Sequence, residues 1–213
     1  MKPTDLVLRP ATENDLDAVV TVHQHAFKGF LMTQLGARFL RGYYLCVLEY
    51  RQPIFWVAES DSRVVGFVAG FVNPPRFYEQ LRQRKKALAL AAASHLVWRP
   101  HLWKRALTSL RRAHAIAHDA DMPHLAELAS LGVDPPAQGR GIGKQLVFAF
   151  LDTAVQQGVH EVVLTTDAHN NDTVNAFYQN LGFVCTRQFW HTPSRLMNEY
   201  RWTVPQVELE GQR

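Results

Sequence analysis

One stretch, VDPPAQGRGIGKQLVFAFL from Val133 to Leu151, limits the folds open to this chain more than any other. Glycines occupy alternate positions, Gly139, Gly141 and Gly143, and an apolar run with helical spacing follows at once. Ahead of them, Ala126 to Val133 reads as a strand. A strand, a bare-backbone turn and a helix therefore follow one another. The mouth of such a helix presents free N–H groups and the positive end of the helix dipole, a natural seat for an anion. Two well-known phosphate loops are excluded. A P-loop needs Ser or Thr after Gly-Lys, and Gln145 follows Gly143-Lys144, with Gln138 where its first glycine belongs. A dinucleotide fingerprint needs a third glycine where Lys144 stands. What remains is a pyrophosphate cradle of another kind, or a plain glycine-rich turn.

Elsewhere the periodicities give a mixed order. Leu6 to Arg9 is a short strand ended by Pro10. Thr12 is an N-cap with Asp15 three residues on, and Leu16, Val19, Val20, His23 and Phe27 form a helical stripe. Helical or irregular structure carries the aromatics from Phe39 to Tyr50. Ile54–Glu59 and Val64–Val72 form a hairpin about Ser60-Asp61-Ser62, ended by Pro74-Pro75. After the glycine loop come a helix from about Gly141 to Gln157 closed by Gly158, a strand Val162–Thr166, a helix Asn171–Asn180 stopped by Gly182, and strands Phe183–His191 and Tyr200–Val204. The expected class is α+β: a single twisted mixed sheet flanked by helices, formed by residues 1–213 as one domain.

Read outward, the glycine loop with its strand resembles the acetyl-CoA-binding signature of the GNAT superfamily of N-acetyltransferases. That signature is a strand ending V-x-P, then Q/R-x-x-G-x-G/A, then a helix, and Gln138, Gly141 and Gly143 match it in register. NNDTVNAFYQNLGF, Asn170 to Phe183, is similar to the family's second block, with Asn171, Tyr178, Gly182 and Phe183 in matching places. The likeness is strong over about Leu125 to Phe183. It is weaker over Leu6 to Val72, where it rests on strand order and on the run from Arg9 to Asp15.

The resemblance implies a GNAT-like sheet and acetyl-CoA as co-substrate. The diphosphate would rest on the amides of Gly139, Arg140, Gly141, Ile142, Gly143 and Lys144, with Arg140 and Lys144 adding charge at the rim and Gln138 in the same cofactor set. The pantetheine arm would lie between two splayed parallel strands, bonded to the main chain from Leu131 to Val133, with a bulge at Gly132 opening the gap. A backbone N–H near Gly132 or Val133 would polarise the acetyl carbonyl. Tyr178 is the expected acid, since a phenol holds its proton at neutral pH and can give it to a departing thiolate. Asn171 would bond the pantetheine, with Asn170 and Asp172 competing for that place or for a helix cap. Glu127 is the expected base, as in histone-type members, although other members use water. Asp134 reads as shaping the V-D-P-P turn, and His124 as a loop histidine that could serve as a base.

Residues 74–123 are expected as a helical insertion between the third and fourth strands. From Arg76 to His118 basic residues dominate and Glu79 is the only acid, and Pro100 splits this run into two expected helices. Since the whole chain is only +4, this run carries the positive excess. It fits a lid over an anionic acceptor, a contact with an anionic surface such as lipid headgroups, or a solvated helical pair that could join a homodimer. Nucleic acid is not expected, because no binding motif is present and aromatics there are sparse. The aromatic run His23 to Tyr44 would line an acceptor pocket or fill the core. His23 and His25 point different ways on a helix, so no metal is expected.

The N-terminal residues show no secretion signal, and the alanine-rich stretch Ala87–Trp98 is too short to span a membrane. With two cysteines in apolar segments, Cys46 and Cys185, a cytoplasmic protein without disulfides is expected. The expected activity is acetyl transfer from acetyl-CoA to a primary amine by direct attack, with a small-molecule acceptor such as an amino sugar. A protein or peptide acceptor, or a CoA-binding module without catalysis, are the alternatives.

Overall fold

The computed structural model describes residues 6–96, 121–192 and 195–205. They form a seven-stranded sheet. In chain order the elements are β1 (Leu6–Pro10), α1 (Leu16–Ala26), α2 (Leu31–Gln34), α3 (Ala37–Leu48), β2 (Pro53–Ser60), β3 (Arg63–Val72), α4 (Pro74–Gln83) and α5 (Lys85–Leu96). Then come β4 (Leu125–Val133), α6 (Ile142–Gln156), β5 (Glu161–Asp167), α7 (Asp172–Asn180), β6 (Val184–Thr192) and β7 (Arg195–Thr203). The strand order is β1-β2-β3-β4-β5-β7-β6. Neighbours are antiparallel except β4 and β5.

Each face of the sheet buries its own core. Against one face lies α6, whose Leu146, Val147 and Phe150 are fully buried with Val68, Ala126 and Val162. Against the other lie α1, α3 and α4, with Tyr44, Phe55, Phe67, Phe71 and Phe77. Burying each such ring contributes roughly 2–3 kcal/mol, so the sheet is held between two separate cores. The aromatic run of α3 is thereby largely core: Tyr43 and Tyr44 are buried. The R-P-A-T-x-x-D start is a polar clasp. Asp15 accepts from the Thr12 N–H and hydroxyl, and Arg9 donates to both Asp15 and Glu59. These hydrogen bonds hold the Asp15 carboxyl well below the usual carboxylate range, the Arg9 bond first.

Two expectations are corrected. The final strand starts at Arg195, not Tyr200, because β7 pairs with both β5 and β6 along its length. Its middle is Asn198-Glu199, polar but buried, so the apolar alternation that marks a strand is missing there. The hairpin ends at Val72, just ahead of Pro74 and Pro75 as expected, and the two prolines go on to open α4, since a helix's first turn needs no N–H. The segment divides at Arg84, between α4 and α5, while Pro100 and the expected second basic helix with Arg111 and Arg112 lie outside the described residues.

The second correction concerns β4. The register with β3 passes from Ala69↔Ser130 to Gly70↔Leu128, so the extra residue is Ala129 and the bulge is not at Gly132. Gly132 instead pairs with Phe67, and a Cβ there would come within 2.8 Å of that ring. The bulge reverses which residues face which core. Ala126, Leu128, Leu131 and Val133 all face α6, leaving Glu127 and Ala129 on the α4 side.

Candidate active site

The site is a place where two strands part. β4 and β5 pair only over Leu125–Glu127 with Glu161–Val163, while β5 continues paired to β7 as far as Asp167. Beyond Glu127, β4 keeps its bonds to β3 and leaves its other edge without a strand. The bulge at Ala129 lies just past the last paired residue, and a bulge adds twist, which turns β4 away from β5. Leu131, Gly132 and Val133, the expected main-chain partners of a pantetheine arm, therefore line the gap.

The glycine loop sits at the far end of that gap. Gly139 (φ 75°) and Gly141 (φ 77°) are both left-handed, and a Cβ on either would meet nothing within 4 Å. Backbone conformation requires these glycines, and open space lies beside them. Gly143 differs: its backbone is helical, and a Cβ there would touch Phe177 at an ordinary 3.5 Å. The first helical bond runs from the Gln145 N–H to the Gly141 carbonyl. The amides of Ile142, Gly143 and Lys144 thus have no acceptor among the described residues and are available to an anion. The Ile142 side chain is core, and Lys144 is exposed with its ammonium 5.5 Å from the Phe148 ring centroid. Gln138 donates its side-chain amide to the Val133 carbonyl at 3.0 Å, closing the loop onto the end of β4. Arg140 is exposed on the same loop. Free amides, bare backbone and a parted strand edge fit an extended diphosphate-bearing thioester.

Tyr178 lies on the α6 side. It is 6% exposed, packed edge-on against Phe177 and Phe183. Burial raises its pKa well above the usual phenol range, so it holds its proton at neutral pH. Among the described residues its Oη has no hydrogen-bond partner, and it is not one of the sealed orphan atoms, which are His23 Nε2 and Gln157 Oε1. Asn171 stands at the N-cap of α7 and donates to the Asp167 carbonyl at 3.2 Å, which leaves its Oδ1 for a ligand.

Glu127 lies on the opposite face of the sheet. Its side chain keeps partial exposure, but the carboxyl is surrounded by protein and desolvation pushes its pKa from 4.5 up to about 7. A hydrogen bond from Tyr78 Oη to Glu127 Oε1 at 2.8 Å opposes that rise, and the negative charge of Glu199 adds to it. Glu199 stays ionised because Arg187 and Arg201 both donate to it. A carboxyl poised near neutrality, where the two strands separate, has the properties of a general base.

One other candidate base falls away from the gap. His124 precedes β4, stacked on His160 at 4.6 Å with its Nδ1 on the Gly158 carbonyl, at the end where β4 and β5 are still paired. Asp134 Oδ1 meets His25 Nδ1 at 2.8 Å, tying the end of α1 to the end of β4. Sequence reasoning missed Tyr78 and Asn175. Asn175 is buried, accepts from Thr166 and Asn198, and donates to the Asp167 carbonyl, fixing α7 to β5 and β7. Its signal was available: it shares one helical face with Asn171 and Tyr178. Tyr78 gave none. Among the described residues no group of three or more His, Cys, Asp or Glu could hold a metal, and no helix is long and apolar enough to cross a membrane.

The profile of the acetyltransferase (GNAT) family matches residues 21–183. The chain belongs to that family. Acetyl-CoA is the acyl donor of GNAT enzymes, and the glycine loop and strand gap are the parts of this chain that suit it. Among solved GNAT-type folds, Ard1 of Thermoplasma volcanium superposes with a TM-score of 0.61 at 17% identity, covering 94% of this chain and 98% of that one. The yncA protein of Salmonella typhimurium, solved with its cofactor acetyl-CoA, gives 0.60 at 16% identity over 94% and 95%. At these identities the likeness is one of fold. In sequence, the mycothiol acetyltransferase of Kocuria rhizophila is 41% identical over 71 residues, 33% of this chain and 22% of that protein. An uncharacterised N-acetyltransferase of Methanocaldococcus jannaschii is 24% identical over 177 residues, 83% of this chain and 59% of that protein. The chain thus spans about a fifth of the mycothiol relative's length and under two thirds of the archaeal one.

Proposed function

We propose that this protein transfers the acetyl group of acetyl-CoA to a primary amine of a small molecule, an amino sugar or similar compound, by direct attack in a ternary complex. The observation that carries the reading is the Glu127 carboxyl, held near neutrality at the point where β4 and β5 part. A primary ammonium has a pKa near ~10 and must lose a proton before its nitrogen can attack. Glu127 accepts it. On the other face Tyr178, kept protonated by burial, supplies a proton to the leaving sulfur. Acetyl-CoA supplies the activated acyl group as a thioester.

The chain's remaining work is positional. The amides from Gly139 to Lys144 hold the diphosphate, the free edge from Leu131 to Val133 aligns the pantetheine, and Asn171 Oδ1 accepts from it. A main-chain N–H at Gly132 or Val133 polarises the acetyl carbonyl, an arrangement worth ~3 kcal/mol where such a donor has been removed in other enzymes. Residues 1–213 act as one domain, with 74–123 inserted in it. A small acceptor is supported by the mycothiol acetyltransferases among the sequence relatives.

Calorimetric titration with acetyl-CoA tests the cradle. Micromolar binding is expected, lost in Gly141→Glu; absence of binding by the unaltered protein would refute the reading. A coupled thiol-release assay with glucosamine and other amines then identifies the acceptor. Glu127→Gln must cut turnover by at least ~100-fold if Glu127 is the base.

A further inference from the structure

α4 is the first helix of the insertion, and its position is fixed beside Glu127 by three independent contacts. Phe71 on β3 is the direct cross-strand partner of Glu127. The Phe77 ring, fully buried, stacks on Phe71 with centroids 3.6 Å apart and planes 13° apart. The next residue along the chain, Tyr78, packs edge-on against Phe71 at 5.6 Å and reaches the Glu127 carboxylate with its hydroxyl. The base of the helix is pinned too. Asn73, left-handed at φ 59°, donates its N–H to the Leu125 carbonyl, two residues before Glu127. Its side chain donates to Asp121 and accepts from the Met122 N–H, so both ends of the insertion are joined at one point.

We propose that Tyr78 is the positioning residue of Glu127: the insertion helix carries its hydroxyl to Oε1 and stabilises the charged carboxylate at the mouth of the strand gap. The catalytic side of this statement rests on Glu127 being the base. No other side chain among the described residues donates a hydrogen bond to that carboxylate. The groups that face it are Tyr78 from α4, Tyr43 from α3 and Glu199 from β7. Behind Glu199 stand Arg187 of β6 and Arg201 of β7, and Arg201 also pairs with Glu161 of β5. Among the described residues Tyr78 is thus the one neighbour that lowers the proton affinity of Glu127, against desolvation and Glu199, which raise it. A helix that lies outside the two signature blocks therefore sets the pH at which the base is ready.

The test is a side-chain carboxyl titration by NMR on the full chain with 13C-labelled glutamate, the Glu127 resonance being assigned by its loss in Glu127→Gln. Tyr78→Phe keeps the ring packing on Phe71 and removes only the donor. Its Glu127 midpoint is expected roughly one pH unit above that of the unaltered protein. Should Tyr78→Phe not fold, replacing tyrosine throughout by 3-fluorotyrosine strengthens the donor without changing shape, and the midpoint must fall. A midpoint unmoved by either change overturns the proposal. The readout needs no acceptor, so it is independent of turnover. If Tyr78→Phe moves the midpoint while Glu127→Gln keeps full turnover, the base role fails and the positioning stands. If the midpoint stays while Glu127→Gln is inactive, the reverse holds.

Discussion

Gly70 is where a single added carbon would do most damage. It lies on β3 opposite Leu128, at the step where the register skips Ala129. A Cβ there would overlap the Glu127 carbonyl oxygen deep inside contact distance, and would also come within 2.7 and 2.8 Å of two Phe150 ring atoms. Neither neighbour can yield. The carbonyl belongs to β4's backbone, and Phe150 is fully buried in the core. Relief requires β3 and β4 to separate by on the order of 1 Å, since carbon and oxygen sit comfortably only beyond about 3.3 Å. Overpacking of this kind costs roughly 1–3 kcal/mol, and the ladder bonds stretched beside it add about 1 kcal/mol each. Against this, losing a glycine from the unfolded chain returns only about 0.4–1 kcal/mol. Gly70→Ala is therefore expected to destabilise by about 3 kcal/mol, which for a chain of this size lowers Tm by roughly 6–12 °C. Gly66, four residues back on the same strand, is the control. A Cβ there would meet side-chain atoms of Leu146 and Ile142 at 3.2 and 3.3 Å, which can shift, although the Gly132 carbonyl is as close at 3.3 Å. Gly66→Ala should cost under about 1 kcal/mol. Urea unfolding followed by circular dichroism measures both. Because the clash lies at Glu127, turnover of surviving Gly70→Ala should also fall by about 100-fold, the usual penalty of a 1 Å misplacement. Equal stabilities for the two variants would refute the account of the bulge.

Other consequences are open to direct measurement. If, as proposed, the Tyr178 phenol acts on the leaving group and not on binding, Tyr178→Phe should lose at least ~100-fold in turnover with acetyl-CoA affinity unchanged; unaltered turnover would remove it from the mechanism. His23 is buried with its pKa lowered to about 4 from 6.5, by desolvation. The native state thus resists a proton that the unfolded chain accepts. Stability should be complete above about pH 6.5 and decline as pH falls towards 4, by up to about 3 kcal/mol, and His23→Leu should flatten that slope in thermal melts. Asn175→Ala should cost about 2 kcal/mol, since it strips Thr166 and Asn198 of a buried partner, and should depress turnover through the displaced α7; a fully stable, fully active variant would show that the network does not hold Tyr178. Gly141→Val should weaken acetyl-CoA binding more than Gly143→Ala, since only Gly141 has the left-handed backbone.

The strand, glycine loop and helix from Ala126 to Gln156 were legible in the sequence because each signal is local. Alternate glycines mark left-handed turns, and an apolar stripe marks a helix whatever surrounds it. Tyr178 and Asn171 were named from the resemblance of one continuous segment, Asn170 to Phe183, and the structure places Tyr178 on α7 and Asn171 at its N-cap. Where the signal was not local, the sequence misled. The bulge was expected at Gly132, a glycine within β4, and lies at Ala129 because Gly70 on the neighbouring strand lets the Glu127 carbonyl approach. Nothing in either strand alone encodes that register. Strand β7 was half missed because Asn198 and Glu199 are buried with partners drawn from β6 and α7. Glu127 was named from the resemblance, but its titration near neutrality was invisible. That property comes from desolvation by packed neighbours, from Glu199 seventy-odd positions on, and from Tyr78 forty-nine residues earlier. Local propensity and spacing determined the elements and the left-handed glycine turn. Only tertiary packing decided which charges are buried, which are paired, and therefore which group can take a proton.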